Sequence, residues 1–164
     1  MHLVIDIGNT SAKIAVFSQE EMINVVRSSN QSLEGLDELC QQYPIKKGIW
    51  ASVISMPEEI QRQLQQLPFP MTEFTYQTPI PIRNLYKTPQ TLGVDRLAAV
   101  IAAYTQKPHH PALVIDAGTC ITYDFIDEFG QYQGGNISPG MEMRFKALHE
   151  FTSKLPKIQA SGET

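Results

Sequence analysis

The stretch at residues 3–8, LVIDIG, decides the fold because it recurs as LVIDAG at residues 113–118. Five of the six positions are identical, and the displacement is 110 residues (113 − 3). Each copy is an apolar strand that ends in Asp-x-Gly, precedes a threonine and leads into a second strand pattern. Self-similarity at this spacing indicates a duplicated unit with two lobes facing each other. The alternative is coincidence, because Asp-x-Gly forms turns readily after any Val/Ile-rich strand.

The remaining pattern predicts an α/β protein with mixed sheets. Each copy opens an antiparallel meander, with strands at 2–8, 11–18 and 22–29 and again at 112–118, 119–127 and 132–136. Two further strands are expected at 48–54 and 71–76, and the Pro-rich stretch 77–90 is expected to be a loop. Helices are expected at 32–43 with Ser32 as N-cap, at 55–67 with a Ser55/Glu58 capping box, and at 92–106 and 141–155.

The repeat divides the chain into a first lobe at 1–110 and a second at 111–164. The first copy takes 110 residues to reach the second, whereas only 52 residues (164 − 112) follow from the start of the second. A complete second lobe does not fit into that length. The second lobe is therefore either truncated in this chain or a smaller version of the first, and we favour truncation.

Composition excludes several classes of protein. The net charge is −4, and no basic run exceeds Lys46-Lys47, which argues against nucleic acid as the main partner. A strand pattern begins within two residues of the N-terminus and no apolar run approaches membrane-spanning length, so we expect no signal peptide and no membrane partner. Cys40 and Cys120 are too few and too scattered for a disulfide framework. A cytoplasmic protein is the simplest interpretation.

The turn after the first strand has the features of a phosphate-binding site. A short hairpin turn directs backbone N–H groups outward, and Gly8 allows a ligand to approach the backbone closely. Asn9 and Thr10 add hydrogen-bond donors, and Lys13 supplies charge for the β- or γ-phosphate of a nucleotide. Asp6 would then face a hydrated Mg²⁺ carried with ATP. The alternative for Asp6 is an Asx residue that caps the turn.

The sequence TLGVDR at 91–96 is a candidate substrate site. Asp95 and Arg96 fall in the first turn of a predicted helix, where Gly93 leaves room for a ligand. Arg96 would pair with the anion of an acidic, hydroxylated substrate, and Asp95 would accept the hydroxyl proton. The alternatives are a favourable charge at the helix N-terminus for Asp95 and a solvated surface residue for Arg96.

Four motifs together resemble the type III pantothenate kinases. They are DIGNTSAK at 6–13, TLGVDRLA at 91–98, IDAGTCITYD at 115–124 and GGNISPG at 134–140. That family belongs to the superfamily of sugar kinases, actin and Hsp70 ATPase domains, so the resemblance implies duplicated ribonuclease H-like lobes. It also implies ATP-dependent phosphorylation of the 4′-hydroxyl of pantothenate, the first step of coenzyme A synthesis.

The resemblance implies a role for each matched residue. ATP and its Mg²⁺ would bind at Asp6, Ile7, Gly8, Asn9, Thr10, Ser11, Ala12 and Lys13, and Thr119 would also contact ATP. Pantothenate would bind at Tyr86, Gly93, Val94, Asp95 and Arg96, with Asp95 as the proton acceptor. Asp116 would bind a monovalent cation, K⁺ or NH₄⁺. The glycines Gly134, Gly135 and Gly140 match the fourth motif and receive no definite role.

The family works as a homodimer, so the resemblance implies a dimer here. Its members continue well past residue 164, and we expect weak or absent turnover from the 164-residue form. Two rival functions remain: a non-catalytic, nucleotide-binding accessory factor for transcription within the same family, and a kinase for another small hydroxy acid.

Overall fold

A computed structural model describes residues 1–159, so the last five residues of the expected second lobe, 160–164, lie outside the described part. The chain forms two compact units. The first contains Met1–Pro79 and Leu92–Asp95, and the second contains Ile80–Thr91 and the chain from Arg96 onward. Residues 80–91 and 96–110, expected in the first lobe, therefore group with the second unit. The units reflect contacts and not ancestry, so the assignment of lobes at 1–110 and 111–164 stays a prediction.

The first unit is built on a five-stranded mixed sheet in the order β3-β2-β1-β4-β5. The expected meander is confirmed: β1 (His2–Ile7), β2 (Ala12–Ser18) and β3 (Glu21–Ser28) pair antiparallel in sequence. β4 (Lys47–Ser52) pairs parallel to β1, and β5 (Met71–Glu73) pairs parallel to β4. Parallel neighbours require crossover connections, and helices α1 (Leu36–Gln42) and α2 (Glu58–Gln65) lie within those connections.

The core of the first unit lies where one face of this sheet meets the helices. The buried apolar side chains come from alternate positions of β1 and β2 and from the helical segments: Leu3, Ile5, Ile7, Ala12, Ile14, Val16, Leu33, Leu36, Leu39 and Ile60. The period-2 alternation of the two strands places these side chains on one face of the sheet.

Both predicted helix caps in this unit are wrong. α1 begins at Leu36 after Gly35, whose φ of 86° is left-handed, and Ser32 instead donates its hydroxyl to Glu34 at 3.2 Å. α2 begins at Glu58 with Pro57 at the N-cap position, and its N-cap makes no side-chain hydrogen bond, so the Ser55/Glu58 capping box does not form. In each case the helix begins some residues after the serine that fits the N-cap preference.

The second unit contains a four-stranded sheet in the order β6-β9-β8-β7. The second meander is confirmed, with β7 (Ala112–Ala117), β8 (Cys120–Ile126) and β9 (Gln131–Pro139) antiparallel in sequence. The predicted loop at 77–90 contains a short strand, β6 (Arg83–Asn84), which pairs parallel to β9, and a 3₁₀ turn follows at Pro89–Thr91. The two sheets confirm the α/β class with mixed sheets.

The last two helices of the chain are shorter than expected. α3 (Val94–Gln106) begins two residues after the predicted start, and α4 (Met141–Glu150) ends five residues before the predicted end. Leu148 of α4 is 49% exposed. No helix within residues 1–159 has the length and apolar character needed to cross a bilayer.

The two copies of the repeat have the same backbone and different surroundings. In each, the glycine after the strand donates its N–H across the turn, Gly8 to the Ser11 carbonyl at 3.0 Å and Gly118 to the Cys120 carbonyl at 2.9 Å. Leu3 is 0% exposed, however, whereas Leu113 at the matching position is 60% exposed. The repeated sequence therefore fixes strand and turn, and the packing of each copy depends on the rest of its unit.

Candidate active site

The turn between β1 and β2 is closed by its own backbone and by a side chain from the next segment. Besides the Gly8 to Ser11 bond, the Asn30 side-chain amide donates to the carbonyls of Gly8 at 3.1 Å and Asn9 at 2.8 Å. Asn30 follows β3 and was not among the predicted site residues. These two hydrogen bonds hold the carbonyl groups of Gly8 and Asn9 in place and so fix the path of the turn.

The eight residues predicted to bind ATP divide by orientation. Ile7 and Ala12 are fully buried, so only their backbone atoms face a ligand. Asn9, Thr10 and Lys13 are exposed, and Gly8 and Ser11 are half-buried. The buried residues on both sides of the turn hold it in place, and the polar residues between them are exposed. Such a turn can present backbone N–H groups and hydroxyls to a phosphate group.

Asp6 has a cationic neighbour in the protein itself. Lys13 Nζ lies 3.6 Å from Asp6 Oδ2, and both side chains are about half exposed (58% and 44%). The two residues face each other across the β1–β2 pair. An exposed carboxylate can hold Mg²⁺ through its waters, because Mg²⁺ retains most of its hydration shell.

A second cation lies beside the same turn. Arg27 on β3 is opposite Lys13 in the sheet register, and its Nε donates to Ser11 Oγ at 3.1 Å. Sequence reasoning did not include Arg27. A register counted from the Ser18–Glu21 pair at the β2–β3 turn would place Val26 opposite Lys13, and the irregularity between Val16 and Phe17 places Arg27 there instead. With Lys13 and Arg27, the β1–β2 turn carries two positive charges at one edge.

Replacing Lys13 with alanine should raise the dissociation constant for ATP. Hydrogen bonds to charged groups contribute about 1.5–3 kcal/mol, which corresponds to an increase of roughly tenfold or more. The fold should be unaffected because exposed ion pairs contribute about 0–1 kcal/mol. Calorimetric titration with a non-hydrolysable ATP analogue measures the change.

Lys146→Ala is the matched control, because Lys146 Nζ forms a similar exposed ion pair with Glu150 at 3.7 Å on α4. The role of Lys13 would be rejected if both alanine variants bound the analogue as well as the parent chain does.

The turn between β7 and β8 repeats this geometry in the second unit. Thr119 lies in the turn, and its carbonyl accepts the Gly140 N–H at 3.0 Å. A Cβ at Gly140 would overlap the Gly118 carbonyl and lie 2.5 Å from the Thr119 carbonyl, so only glycine fits there. The chain at Gly140 thus packs directly on the turn, which gives this motif glycine a structural reason.

Asp116 is exposed at the end of β7, beside this turn. A carboxylate near backbone carbonyl oxygens offers the hard oxygen ligands that alkali cations take. No group of three or more His, Cys, Asp and Glu residues arranged for a metal occurs within residues 1–159. The binding of a monovalent cation at Asp116 therefore stays a prediction.

The TLGVDR motif forms the start of α3, as predicted. Gly93 immediately precedes the helix and Val94 is its first residue, and both are half-buried. Asp95 follows and is exposed, so its carboxylate is accessible to a substrate in the first turn of the helix.

Arg96 occupies a different environment from the one the sequence indicated. It is 7% exposed, and its Nε and Nη2 atoms donate to Asp124 on β8, with the shortest contact 2.6 Å from Nη2 to Oδ1. These hydrogen bonds raise the pKa of the guanidinium further, although burial acts in the opposite direction. Arg96 is therefore not a solvated surface residue, and two of its nitrogens are committed to a carboxylate of the protein.

Tyr132 completes this buried cluster. It is 0% exposed, and its hydroxyl donates to Asp124 Oδ1 at 2.6 Å. Burial, and then the hydrogen bond to Asp124, raise the pKa of Tyr132 above its ordinary value, so the hydroxyl keeps its proton. Asp124 and Tyr132 were not among the predicted site residues, because neither lies near Arg96 in sequence.

Tyr86 packs on the cluster from the segment after β6. Its ring stacks on that of Tyr132 with a centroid separation of 6.3 Å and an interplanar angle of 6°, and the Arg96 Cζ atom lies 5.9 Å from its centroid. Gly134 on β9 has a left-handed φ of 96°, and a Cβ there would lie 3.3 Å from Tyr86 Cδ2. Of the predicted pantothenate residues, the structure thus brings Tyr86 and Arg96 together.

Comparisons with known proteins identify the family. The family described as type III pantothenate kinase matches residues 2–163. A type III pantothenate kinase from Phocaeicola vulgatus is 61% identical over 163 residues, which cover 99% of this chain and 67% of the relative. One from Bacteroides fragilis is 55% identical over 162 residues, with the same coverage. The chain belongs to the type III pantothenate kinase family.

Membership in the family establishes the function at the level of the reaction. The sequence is that of a kinase, a transferase that phosphorylates pantothenate in coenzyme A biosynthesis. The chain spans about two thirds of the length of these relatives. The accessory factor for transcription is not favoured.

A solved structure supports the fold. The crystal structure of a Campylobacter jejuni protein described as a Baf family transcriptional activator superposes with a TM-score of 0.54 at 22% sequence identity. The match covers 99% of this chain and 66% of that one. At this identity the likeness concerns the fold alone, so the description of that protein does not extend to this kinase.

Proposed function

We propose that this pantothenate kinase binds the phosphates of ATP at the turn 6–13 and binds pantothenate at Tyr86 and the start of α3. The observation that carries the proposal is the contrast at two adjacent residues. Asp95 is exposed in the first turn of α3, whereas Arg96 is buried against Asp124. Because Arg96 is fixed, the backbone of Asp95 beside it is held at a defined place, and the Asp95 carboxylate is exposed. A group that accepts a proton from the substrate must be accessible in this way.

The reaction needs positioning and charge neutralisation more than covalent chemistry by the protein. Lys13 and the backbone N–H groups of the turn would offset the negative charge of the triphosphate. Asp95 would orient the attacking hydroxyl of pantothenate and accept its proton as the bond to the γ-phosphorus forms. Gly93 would leave room for the substrate beside the helix start.

Two cations are part of the proposal. Mg²⁺ bound with ATP would be held through water by Asp6, and when bound it neutralises charge on the phosphates. Asp116 would hold K⁺ or NH₄⁺, and Thr119 in the adjoining turn would contact ATP. The exposed carboxylates of Asp6 and Asp116 support these assignments, because each lies at the last residue but one of a strand, close to the hairpin turn that follows.

We also propose that the chain forms a homodimer, as the family resemblance implies, and that it is cytoplasmic. Sedimentation of the purified chain at several concentrations tests the dimer, which would be rejected by a monomer at all of them.

ATP consumption with and without pantothenate and K⁺ tests the proposed function. We expect any turnover, even the weak rate anticipated for the 164-residue form, to require both. We also expect an ATP analogue to bind when turnover is too slow to measure. Consumption of ATP that is indifferent to pantothenate, or no nucleotide binding at all, would contradict the proposal.

The same assay with other small hydroxy acids distinguishes a kinase of different specificity. A faster rate with one of these acids than with pantothenate would show that this acid is the preferred substrate, and Tyr86 and Asp95 would then act on that acid.

A further inference from the structure

The buried cluster behind Tyr86 is not explained by the proposed chemistry. It consists of Arg96, Asp124, Tyr132 and the ring of Tyr86, and the first three are 7%, 1% and 0% exposed. Every buried side-chain nitrogen and oxygen among residues 1–159 has a hydrogen-bond partner. A buried ion pair is weak evidence for stability, because desolvation offsets much of the attraction, so this cluster invites a functional explanation.

Asp124 is the centre of the cluster. Its Oδ1 atom accepts from Arg96 Nη2 and from the Tyr132 hydroxyl, both at 2.6 Å, and its Oδ2 atom accepts from Arg96 Nε at 3.0 Å. Two donors on a planar guanidinium and a third from a different strand leave the arginine no rotational freedom. One carboxylate thus orients a cation on α3 and a hydroxyl on β9.

Arg96 and Tyr132, which Asp124 orients, both contact the ring of Tyr86. That ring lies parallel to Tyr132 and has the Arg96 guanidinium over its face, so both groups that Asp124 holds also contact Tyr86. On the strand side, a Cβ at Gly134 would lie 3.3 Å from Tyr86 Cδ2, so glycine at this position leaves room for the ring. Stacking and cation–π contacts have a preferred geometry, so displacing either partner moves the ring.

We propose that Asp124 and Tyr132 are positioning residues for the acidic substrate. Asp124 fixes Arg96 and, through Arg96 and Tyr132, fixes the Tyr86 ring that faces the substrate. This inference rests on the proposed function, in which Tyr86 and Arg96 belong to the pantothenate site. It goes further by assigning substrate affinity to two residues that would not touch the substrate.

The inference is testable, because the charge of Arg96 alone would change pantothenate affinity in the opposite direction. Asp124 neutralises Arg96, so removing the carboxylate would release a positive charge that attracts an anion. If charge were decisive, Asp124→Asn would bind pantothenate more tightly. If position is decisive, the variant binds it less tightly, because the asparagine amide opposes the guanidinium with a donor of its own.

The experiment compares the parent chain with Asp124→Asn, Tyr132→Phe and the control Tyr104→Phe, which removes a hydroxyl on α3 elsewhere in the same unit. Calorimetry measures the affinities for pantothenate and for an ATP analogue. We expect pantothenate affinity to fall about tenfold or more in Asp124→Asn and roughly 2- to 10-fold in Tyr132→Phe, with affinity for the analogue unchanged. Tyr104→Phe should match the parent. Tighter binding of pantothenate, or equal losses for both ligands, would overturn the inference.

A nuclear magnetic resonance readout separates this inference from the proposed function. The Nε–H group of Arg96, bonded to a buried carboxylate, should give a slowly exchanging signal that Arg96→Lys removes. We expect Asp124→Asn to abolish the protection of this signal and Tyr132→Phe to shift it. A parent chain that binds no pantothenate would refute the proposed function, whereas a signal that is still protected in Asp124→Asn would refute the positioning role.

A double-mutant cycle provides the last arm. If Asp124 acts through Arg96, then Asp124→Asn in an Arg96→Lys background should lower pantothenate affinity little further. Additive losses would mean that Asp124 acts by another route. Should Asp124→Asn fail to fold, Tyr132→Phe decides, since it removes one hydroxyl and keeps the ion pair.

Discussion

Replacing Asp95 with asparagine should lower the rate of phosphoryl transfer by about 10²- to 10⁴-fold, the usual contribution of a positioned proton acceptor. Asparagine keeps the shape of the side chain and cannot accept the proton of the attacking hydroxyl. Affinity for ATP should be nearly unchanged, because the proposed phosphate-binding turn at 6–13 holds the nucleotide through groups other than the Asp95 carboxylate. Steady-state rates at saturating ATP and pantothenate, with a calorimetric titration of the nucleotide, measure both quantities.

The alternative for Asp95 is a charge that favours the N-terminus of α3. Such a charge contributes about 0.3–1 kcal/mol to stability and nothing specific to catalysis. Glu142→Gln is the matched control, because Glu142 is the acidic residue in the first turn of α4. The two variants should differ strongly in rate and little in stability. An Asp95→Asn enzyme of undiminished rate would remove Asp95 from the mechanism.

Replacing Gly135 with alanine should lower the free energy of unfolding by about 3 kcal/mol or more, at or beyond the upper end of the usual cost of overpacking. The added Cβ would overlap the Tyr123 carbonyl oxygen, and it would lie 2.8 Å from the Tyr123 carbonyl carbon and 2.6 Å from Asp124 Oδ1. Backbone atoms of a paired strand cannot rotate away as a flexible side chain does. The strands β8 and β9 would have to separate locally.

Gly118→Ala is the control, since the nearest atom to its Cβ would be the Cys120 carbonyl oxygen at an ordinary 3.9 Å. Denaturant unfolding of both variants should show a large shift in midpoint for Gly135→Ala and a small one for Gly118→Ala. Equal stability of the two would show that the β8–β9 pair tolerates a methyl group at Gly135. The motif glycines that received no role from sequence would then need another explanation.

The sequence predicted the local elements of both meanders because alternation of apolar residues and turn-forming residues are properties of neighbouring positions. It missed β6 because that strand is two residues long and exists only by pairing with β9, which follows about 50 residues later. It placed the start of α1 four residues early because Ser32 fits the preference for a cap, whereas the left-handed Gly35 decides where the helix begins.

The candidate site shows the same division. The positions of Asp6, Lys13 and Asp95 follow from strand ends, turns and helix starts, and these were predictable. The pairing of Arg96 with Asp124 was not, because 28 residues separate them and the contact depends on how α3 packs on β8. For this reason Arg96 was expected at the substrate's anion, and the structure shows it bound to a carboxylate of its own unit.

The two copies of LVID show what the sequence determined by itself and what the tertiary structure decided. The sequence alone determined a strand, a tight turn and a second antiparallel strand in both places, since these depend on side-chain period and on glycine. Only the tertiary structure decided that Ile5 would be 1% exposed and Ile115, its counterpart, 57% exposed. Burial depends on which elements cover the face of a sheet, and in the first unit Leu36, Leu39 and Ile60 of α1 and α2 join Ile5 in the core.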